Sequence, residues 1–126
     1  MRGKNISILG DSISTYRQAS NDASANSTIA ANPYFYAEPF PIEATYWMRI
    51  IKSLDMKLCV NNSWSGGNLS GVNDVNSGVN RVKKLSRDSG ERPNLIIVFM
   101  GINDLGRGVD ASEFALDYER TLAIIN

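Results

Sequence analysis

Asn94-Leu95-Ile96-Ile97-Val98-Phe99-Met100, with Gly101-Ile102-Asn103-Asp104 directly behind it, is the stretch on which the fold turns. From Leu95 to Met100 the residues are apolar without a break, and such a run predicts a strand buried on both faces, the habit of parallel sheets. Two weaker copies of the same arrangement lie upstream. Asn5 to Leu9 is short and mostly apolar and ends in Gly10-Asp11-Ser12, while Lys57 to Val60 runs into a polar, glycine-rich loop from Asn61 to Gly71. Each predicted strand therefore ends in a loop of small and polar residues.

Helical periodicity fills the gaps. Trp47, Ile50, Ile51 and Leu54 fall at helical spacing within Thr45 to Leu54, and Thr45 is placed to cap the N-terminus. Val72, Val75, Val79, Val82 and Leu85 repeat at three and four residues, predicting helix over part of that stretch, with Asn76, Ser77, Gly78 and Asn80 weakening its first half. Asp110-Ala111-Ser112-Glu113 has the form of a capping box before a last helix, whose Phe114, Tyr118, Leu122 and Ile125 make one apolar stripe. Strand and helix thus alternate through the chain, the order of a doubly wound α/β domain. Right-handed crossovers bring the three loops after the strands to one edge of the sheet, where such folds bind ligands.

Composition narrows the function. The 126 residues fit a single domain, and their 43% apolar and 21% charged content is ordinary for a globular protein. Lys plus Arg and Asp plus Glu both number 13, so there is no overall field to draw nucleic acid or an anionic membrane. The start, Met1-Arg2-Gly3-Lys4, is basic, but the apolar run behind it stops at Gly10-Asp11. That is too short for a signal peptide and far short of the roughly 20 residues of a membrane span, which predicts a cytoplasmic protein. Cys59 is the single cysteine and sits in the apolar run Leu58-Cys59-Val60, where it reads as a packed thiol. With no histidine in the chain, a transition metal has almost no ligands to draw on, and neither metal nor cofactor is expected.

The loops carry one chemistry between them. They read Gly10-Asp11-Ser12, Asn61-Asn62-Ser63-Trp64-Ser65-Gly66 and Gly101-Ile102-Asn103-Asp104. A serine directly behind a strand holds its hydroxyl out at the sheet edge. Its own N–H, a glycine N–H and an asparagine amide can converge on one oxygen as an oxyanion hole of neutral donors. Glycine leaves the approach to its N–H clear, and asparagine donates without adding a charge. Each signal alone is weak: a Gly-Asp-Ser serine is commonly a turn former, and Gly-x-Asn-Asp reads equally well as a turn. Their conjunction, in this order and each at a strand end, is far more specific.

These blocks, Ile8-Leu9-Gly10-Asp11-Ser12, Asn61-x-Ser63-x-Ser65-Gly66 and Gly101-Ile102-Asn103-Asp104, resemble those of the SGNH hydrolases, the GDSL-type lipases and esterases. The resemblance covers nearly the whole chain and is weakest between Tyr16 and Glu43. It implies a three-layer α/β/α, flavodoxin-like fold whose parallel sheet is ordered 2-1-3-4-5, of which this chain supplies strands 2-1-3. It implies an esterase or acylhydrolase working through an acyl-serine on a small-molecule ester, an acetylated carbohydrate among the choices, in a bacterial protein. By the same likeness Ser12 is the nucleophile, and Gly66 and Asn103 join the Ser12 N–H as oxyanion donors. Asp11 and Asp104 are then carboxylates that structure their loops.

One block of the family pattern is missing. The family's Asp-x-x-His supplies the general base, and this chain has no histidine. A serine hydroxyl is a poor nucleophile without a base, so the chain is expected to be inactive or nearly so as it stands. A 2-1-3 sheet would also leave the Asn94 to Met100 strand on an open edge, which invites pairing with another chain. The reading is of a domain incomplete at its C-terminal side; a naturally short non-catalytic relative and a homodimer through the open edge are the alternatives.

Competing readings attach to single residues. Ser12-Ile13-Ser14-Thr15 also resembles the hydroxyl-rich phosphate loop of flavin-binding flavodoxin-like proteins, though that leaves the glycine and asparagine loops unexplained. A carbohydrate- or partner-binding relative without a base would use Tyr34, Phe35, Tyr36 and Trp64 as surface. Trp64 and Tyr36 are the substrate-binding candidates, although Trp64 alone reads as packing, and the long aperiodic stretch from Tyr16 to Glu43 is either a lid or a self-packed loop. Gly67 competes with Gly66 by one residue of slip. Arg107, between two glycines, is in reach of an anionic substrate or is simply a solvated loop arginine.

Overall fold

The computed structural model describes residues 1–16 and 40–125. Tyr34, Phe35 and Tyr36, and with them most of the suggested lid, lie outside the described residues. Three strands, β1 (Asn5–Gly10), β2 (Lys57–Ser63) and β3 (Leu95–Phe99), form one sheet in the order β2-β1-β3, all parallel. Alternation along β1 sorts its side chains between two layers. Ile6 and Ile8 pack with Trp47, Ile51 and Met56 under helix α1 (Tyr46–Ser53). Leu9 packs with Val82 and Leu85 on the other face, joined by Ile96, Val98, Met100 and Ile125. The last of these belongs to helix α4 (Ala111–Ile125), so helices cover both faces of the sheet as a doubly wound fold requires. Ile6, Ile8 and Leu9 are wholly buried, each contributing about 1.5–3 kcal/mol of transfer free energy.

Local chemistry sets the element ends. Thr45 caps α1 by accepting from the Met48 N–H. The register of β1 on β2 slips between Ile6, opposite Leu58, and Ser7, opposite Val60, leaving Cys59 as the extra residue of a bulge. Ser7 makes that bulge tolerable. Its buried hydroxyl accepts the Val60 N–H at 3.2 Å and donates to the Leu85 carbonyl at 2.7 Å. Cys59 is buried there as a packed thiol.

Two sequence expectations need correction, whereas the valine repeat behaves as its weakened first half predicts. The valine repeat from Val72 to Leu85 is helical only as the single turn α2 (Gly78–Arg81), followed by a 3-10 turn over Val82–Lys84. Val72 and Val75 are exposed at 49% and 78%, so the apolar repeat is a core face only in its second half. The strand expected to be buried on both faces is half-exposed, with Phe99 at 47%, because β3 pairs with β1 alone among the described residues. In α4 the residues turned fully inward are Asp117 and Thr121, whereas Tyr118 and Leu122 of the expected stripe stay open. Asp117 is drawn in by the Gly71 N–H, which it accepts at 2.9 Å, and Thr121 donates back to the Asp117 carbonyl at 2.8 Å.

Candidate active site

The chemistry-bearing residues lie where the strands end. Gly10, the last residue of β1, has Ser63 of β2 and Phe99 of β3 as its register partners. Ser12, Gly66 and Asn103 follow these three positions closely, so the loops holding them leave one edge of the sheet.

The first loop is built around a close approach. A Cβ on Gly10 would stand 2.4 Å from the Ser14 side chain and 2.7 Å from Ser63 Oγ, so no side chain fits. Ser14 is locked there by a 2.7 Å bond to the Tyr46 hydroxyl, and its carbonyl accepts Asn61 Nδ2 at 2.9 Å. Ser63 completes the cluster by donating to Asn61 Oδ1. The buried Asp11 carboxylate accepts the Ile13 N–H at 3.0 Å and thereby winds Ser12–Ser14 into a 3-10 turn. Ser12 is half-buried in that turn. Among the described residues neither its hydroxyl nor its N–H has a hydrogen-bond partner.

The second loop separates the two competing glycines. The Gly67 N–H is taken by the Trp64 carbonyl at 2.9 Å, and the Gly67 carbonyl accepts Asn103 Nδ2 at 3.0 Å. Gly66 adopts φ 72°, a left-handed conformation that suits glycine, and its N–H carries no bond among the described residues. Trp64 is half-buried and its N–H extends the sheet by bonding the Gly10 carbonyl at 3.1 Å.

The third loop opens the short helix α3 (Ile102–Gly106), which carries Asn103 and the buried Asp104 in its first turn. Both Asp104 oxygens face the second loop: Oδ2 accepts the Leu69 N–H at 2.8 Å and Oδ1 the Ser70 N–H at 2.9 Å. Bonds of a carboxylate to backbone N–H groups are charge-assisted and short, and a pair of them fixes the approach of one loop to the other. Asp117 extends the clamp to Gly71 and balances its charge against Arg120 at 2.7 Å.

Arg81 is the unforeseen member. It is 4% exposed, and its guanidinium reaches the Asn62 carbonyl at 2.5 Å, the Asn76 carbonyl at 2.7 Å and the Gly10 carbonyl at 3.0 Å. Asn62 Nδ2 answers by donating to the Arg81 carbonyl at 3.2 Å. One buried cation therefore ties the ends of β1 and β2 together beneath the loops. Burial lowers its pKa to about 10, against the pull of Asp11 and Asp74, and it stays charged at neutral pH. Asp11 responds in the opposite sense: burial raises its pKa, the Ile13 N–H and the Arg81 charge restrain the rise, and Asp104 adds to it.

Neither Arg81 nor Asp117 carries a signature that periodicity would detect, since each is buried for the sake of partners distant in sequence. The polar Asn61-Asn62 at the end of an otherwise apolar strand was the available hint that buried polar partners sit nearby. Among the described residues no group of three or more His, Cys, Asp or Glu is placed to hold a metal, and no helix is long and apolar enough to cross a membrane.

A parallel α/β sheet with Gly-Asp-Ser, Asn-x-Ser-x-Ser-Gly and Gly-x-Asn-Asp loops along one edge defines an SGNH-type hydrolase scaffold. Residues 4–122 match the family of GDSL-like lipases and acylhydrolases, and the chain belongs to that family. Solved structures agree. A protein from Bacteroides ovatus described as a GDSL-like lipase is 30% identical, with a TM-score of 0.66, over 86% of this chain and 53% of its own. One from Bacteroides uniformis, described likewise, is 27% identical with a TM-score of 0.71, over 96% of this chain and 64% of its own. AlinE4, an SGNH-hydrolase family esterase, shares the fold at 20% identity and a TM-score of 0.61, over 98% of this chain and 53% of its own. The chain thus spans between about half and just under two thirds of the length of these structures. No curated protein shows significant similarity to it.

Proposed function

We propose that the chain supplies the nucleophile and oxyanion elements of a serine ester hydrolase acting on small-molecule esters. Ser12 Oγ attacks the ester carbonyl carbon as its proton passes to a base. The carbonyl oxygen, now negative, is held by the N–H groups of Ser12 and Gly66 and by an Asn103 amide hydrogen. Collapse of the tetrahedral adduct expels the alcohol and leaves an acyl-serine, which water hydrolyses to the carboxylic acid. The observation that carries this reading is the pattern of donors at the sheet edge. Among the described residues the Ser12 and Gly66 N–H groups are unengaged, and Asn103 uses one of its two amide hydrogens on Gly67. Neutral donors placed at a developing oxyanion are worth about 2.7–4 kcal/mol each.

The general base belongs to polypeptide beyond these 126 residues, which hold no histidine. Asp104 is a poor substitute because both its oxygens are occupied by N–H donors, and Asp11 is buried and committed to Ile13. On this reading the domain is completed on its C-terminal side, and the chain alone retains at most on the order of 10³–10⁴-fold acceleration over water.

Chemical rescue tests the proposal. The chain is incubated with p-nitrophenyl acetate and imidazole as an external base, then analysed by mass spectrometry of its peptides. One acetyl group on Ser12, lost in Ser12→Ala and reduced in Asn103→Ala, is the expected result. Acetylation spread over other residues, or unchanged by Ser12→Ala, would show that Ser12 is not the nucleophile.

A further inference from the structure

Resting on the esterase reading, we infer that Arg107 selects esters that carry an anionic group close to the scissile carbonyl. Arg107 stands at the junction of the second and third loops. Its backbone N–H bonds the Asn103 carbonyl at 3.0 Å, closing the short helix that carries Asn103. Its Nη1 is held by Asn68 Oδ1 at 2.8 Å, so the side chain is anchored across both loops. Its Nη2 lies 3.5 Å from where a side chain on Gly66 would begin. The guanidinium is therefore held beside Gly66, one of the three proposed oxyanion donors.

The charge of that group is not used internally. Arg107 is exposed, and among the described residues no carboxylate lies within ion-pairing distance of it. Asp104 and Asp110, each three residues from Arg107, are engaged elsewhere, Asp104 with the Leu69 and Ser70 N–H groups and Asp110 with the Ser112 N–H. Asn68 is a neutral anchor, which orients the guanidinium and leaves its positive charge intact. A planar guanidinium with one edge tethered and another open matches a carboxylate, sulfate or phosphate oxygen pair, a geometry a lysine would not reproduce. An ester whose carbonyl oxygen meets the Gly66 N–H is bound at the residue this cation flanks. An anionic substituent gains from it, and a neutral one does not. Arg107 is accordingly a specificity residue for the ligand, with no role at the reacting atoms.

The test uses the chain as it exists, whose lack of a base allows ester binding to be followed without rapid turnover. Monomethyl succinate and dimethyl succinate form a matched pair that differs in one negative charge. Each is titrated at neutral pH while the amide signals of Gly66 and Asn103 and the Arg107 Nε–H are followed by ¹⁵N NMR. The expected outcome is that the monoester binds on the order of tenfold more tightly than the diester. Arg107→Gln erases that preference without weakening the diester, Arg107→Lys keeps part of it, and added salt shrinks it in the wild-type chain. Equal binding of the two esters at Gly66 and Asn103, unaltered by Arg107→Gln, would overturn this inference and leave the esterase reading standing. Absence of any shift at Gly66 or Asn103 with either ester would overturn both.

Discussion

Replacement of Arg81 by methionine keeps most of the buried aliphatic stem and removes the guanidinium. Three carbonyls then lose a charged donor: those of Asn62 at 2.5 Å, Asn76 at 2.7 Å and Gly10 at 3.0 Å. The Gly10 carbonyl keeps the Trp64 N–H at 3.1 Å, so its loss is the smallest. A buried polar group left without a partner costs about 1–3 kcal/mol. Against that stands the relief of no longer burying a charge, which lowers the Arg81 pKa to about 10 and can amount to several kcal/mol for an ion in a protein interior. The bonds are short and the charges of Asp11 and Asp74 favour the cation, so the balance is set at a net loss of about 2–4 kcal/mol. Arg81→Lys retains the charge but reaches fewer carbonyls, and is placed at about half that loss. Urea unfolding followed by the fluorescence of the buried Trp47 measures both. Lower midpoints in the order wild type, Arg81→Lys, Arg81→Met, at constant slope, are expected. A methionine variant as stable as the wild type would refute the reasoning, because the desolvation of the cation would then equal everything its bonds return.

Asp104→Asn replaces an acceptor pair by one acceptor and one donor facing an N–H, and is expected to cost about 2–3 kcal/mol while speeding amide exchange at Leu69 and Ser70, read by hydrogen-exchange NMR. Gly10→Ala would set a Cβ 2.4 Å from the Ser14 side chain, so it should lower stability by about 1–3 kcal/mol or more, detected as a fall in Tm. Asp11 has a folded-state pKa raised by burial above 3.8, so its favourable contribution is full below 3.8 and is lost as pH climbs through the raised value. Asp11→Asn should therefore gain stability relative to wild type as pH rises from about 3.8 toward neutrality; a Tm difference that stays flat over that range would contradict the assignment.

The parts of the fold legible in the sequence are those decided by solvent. The unbroken run before Met100, the alternation in β1 and the helical spacing from Trp47 to Leu54 record which side chains leave water, and the structure places strands and a helix there. The loop blocks were legible for a different reason, since small and polar residues behind a strand narrow what the backbone can do. Where solvent did not decide, the sequence misled. The α4 stripe was read from apolar residues, yet Asp117 and Thr121 face inward because Asp117 has a backbone donor, Gly71, to satisfy. Arg81 went unseen because nothing local to Gly78–Arg81 announces partners at Gly10 and Asn62. The half-exposed β3 has a topological cause: its residues are apolar enough for two neighbours, and the described sheet gives it one.

These buried polar groups also account for how three glycine-bearing loops keep a fixed geometry. Apolar contacts position strands and helices but do little for a loop of serine, asparagine and glycine, whose backbone must be pinned by hydrogen bonds. Here the pins are Asp11 on Ile13, Asp104 on Leu69 and Ser70, Asp117 on Gly71, and Arg81 on Gly10 and Asn62. Each is worth more below the surface than it would be in water, because a broken bond there has no solvent to replace it. Under the proposed chemistry this division has a consequence. Donors used as pins are unavailable to substrate, and those left over, on Ser12, Gly66 and Asn103, have no acceptor among the described residues. Substitutions of the pins should therefore weaken the fold and the site together, whereas Ser12→Ala, which removes no hydrogen bond among the described residues, should leave stability within about 0.5 kcal/mol of wild type and take the reactive hydroxyl alone.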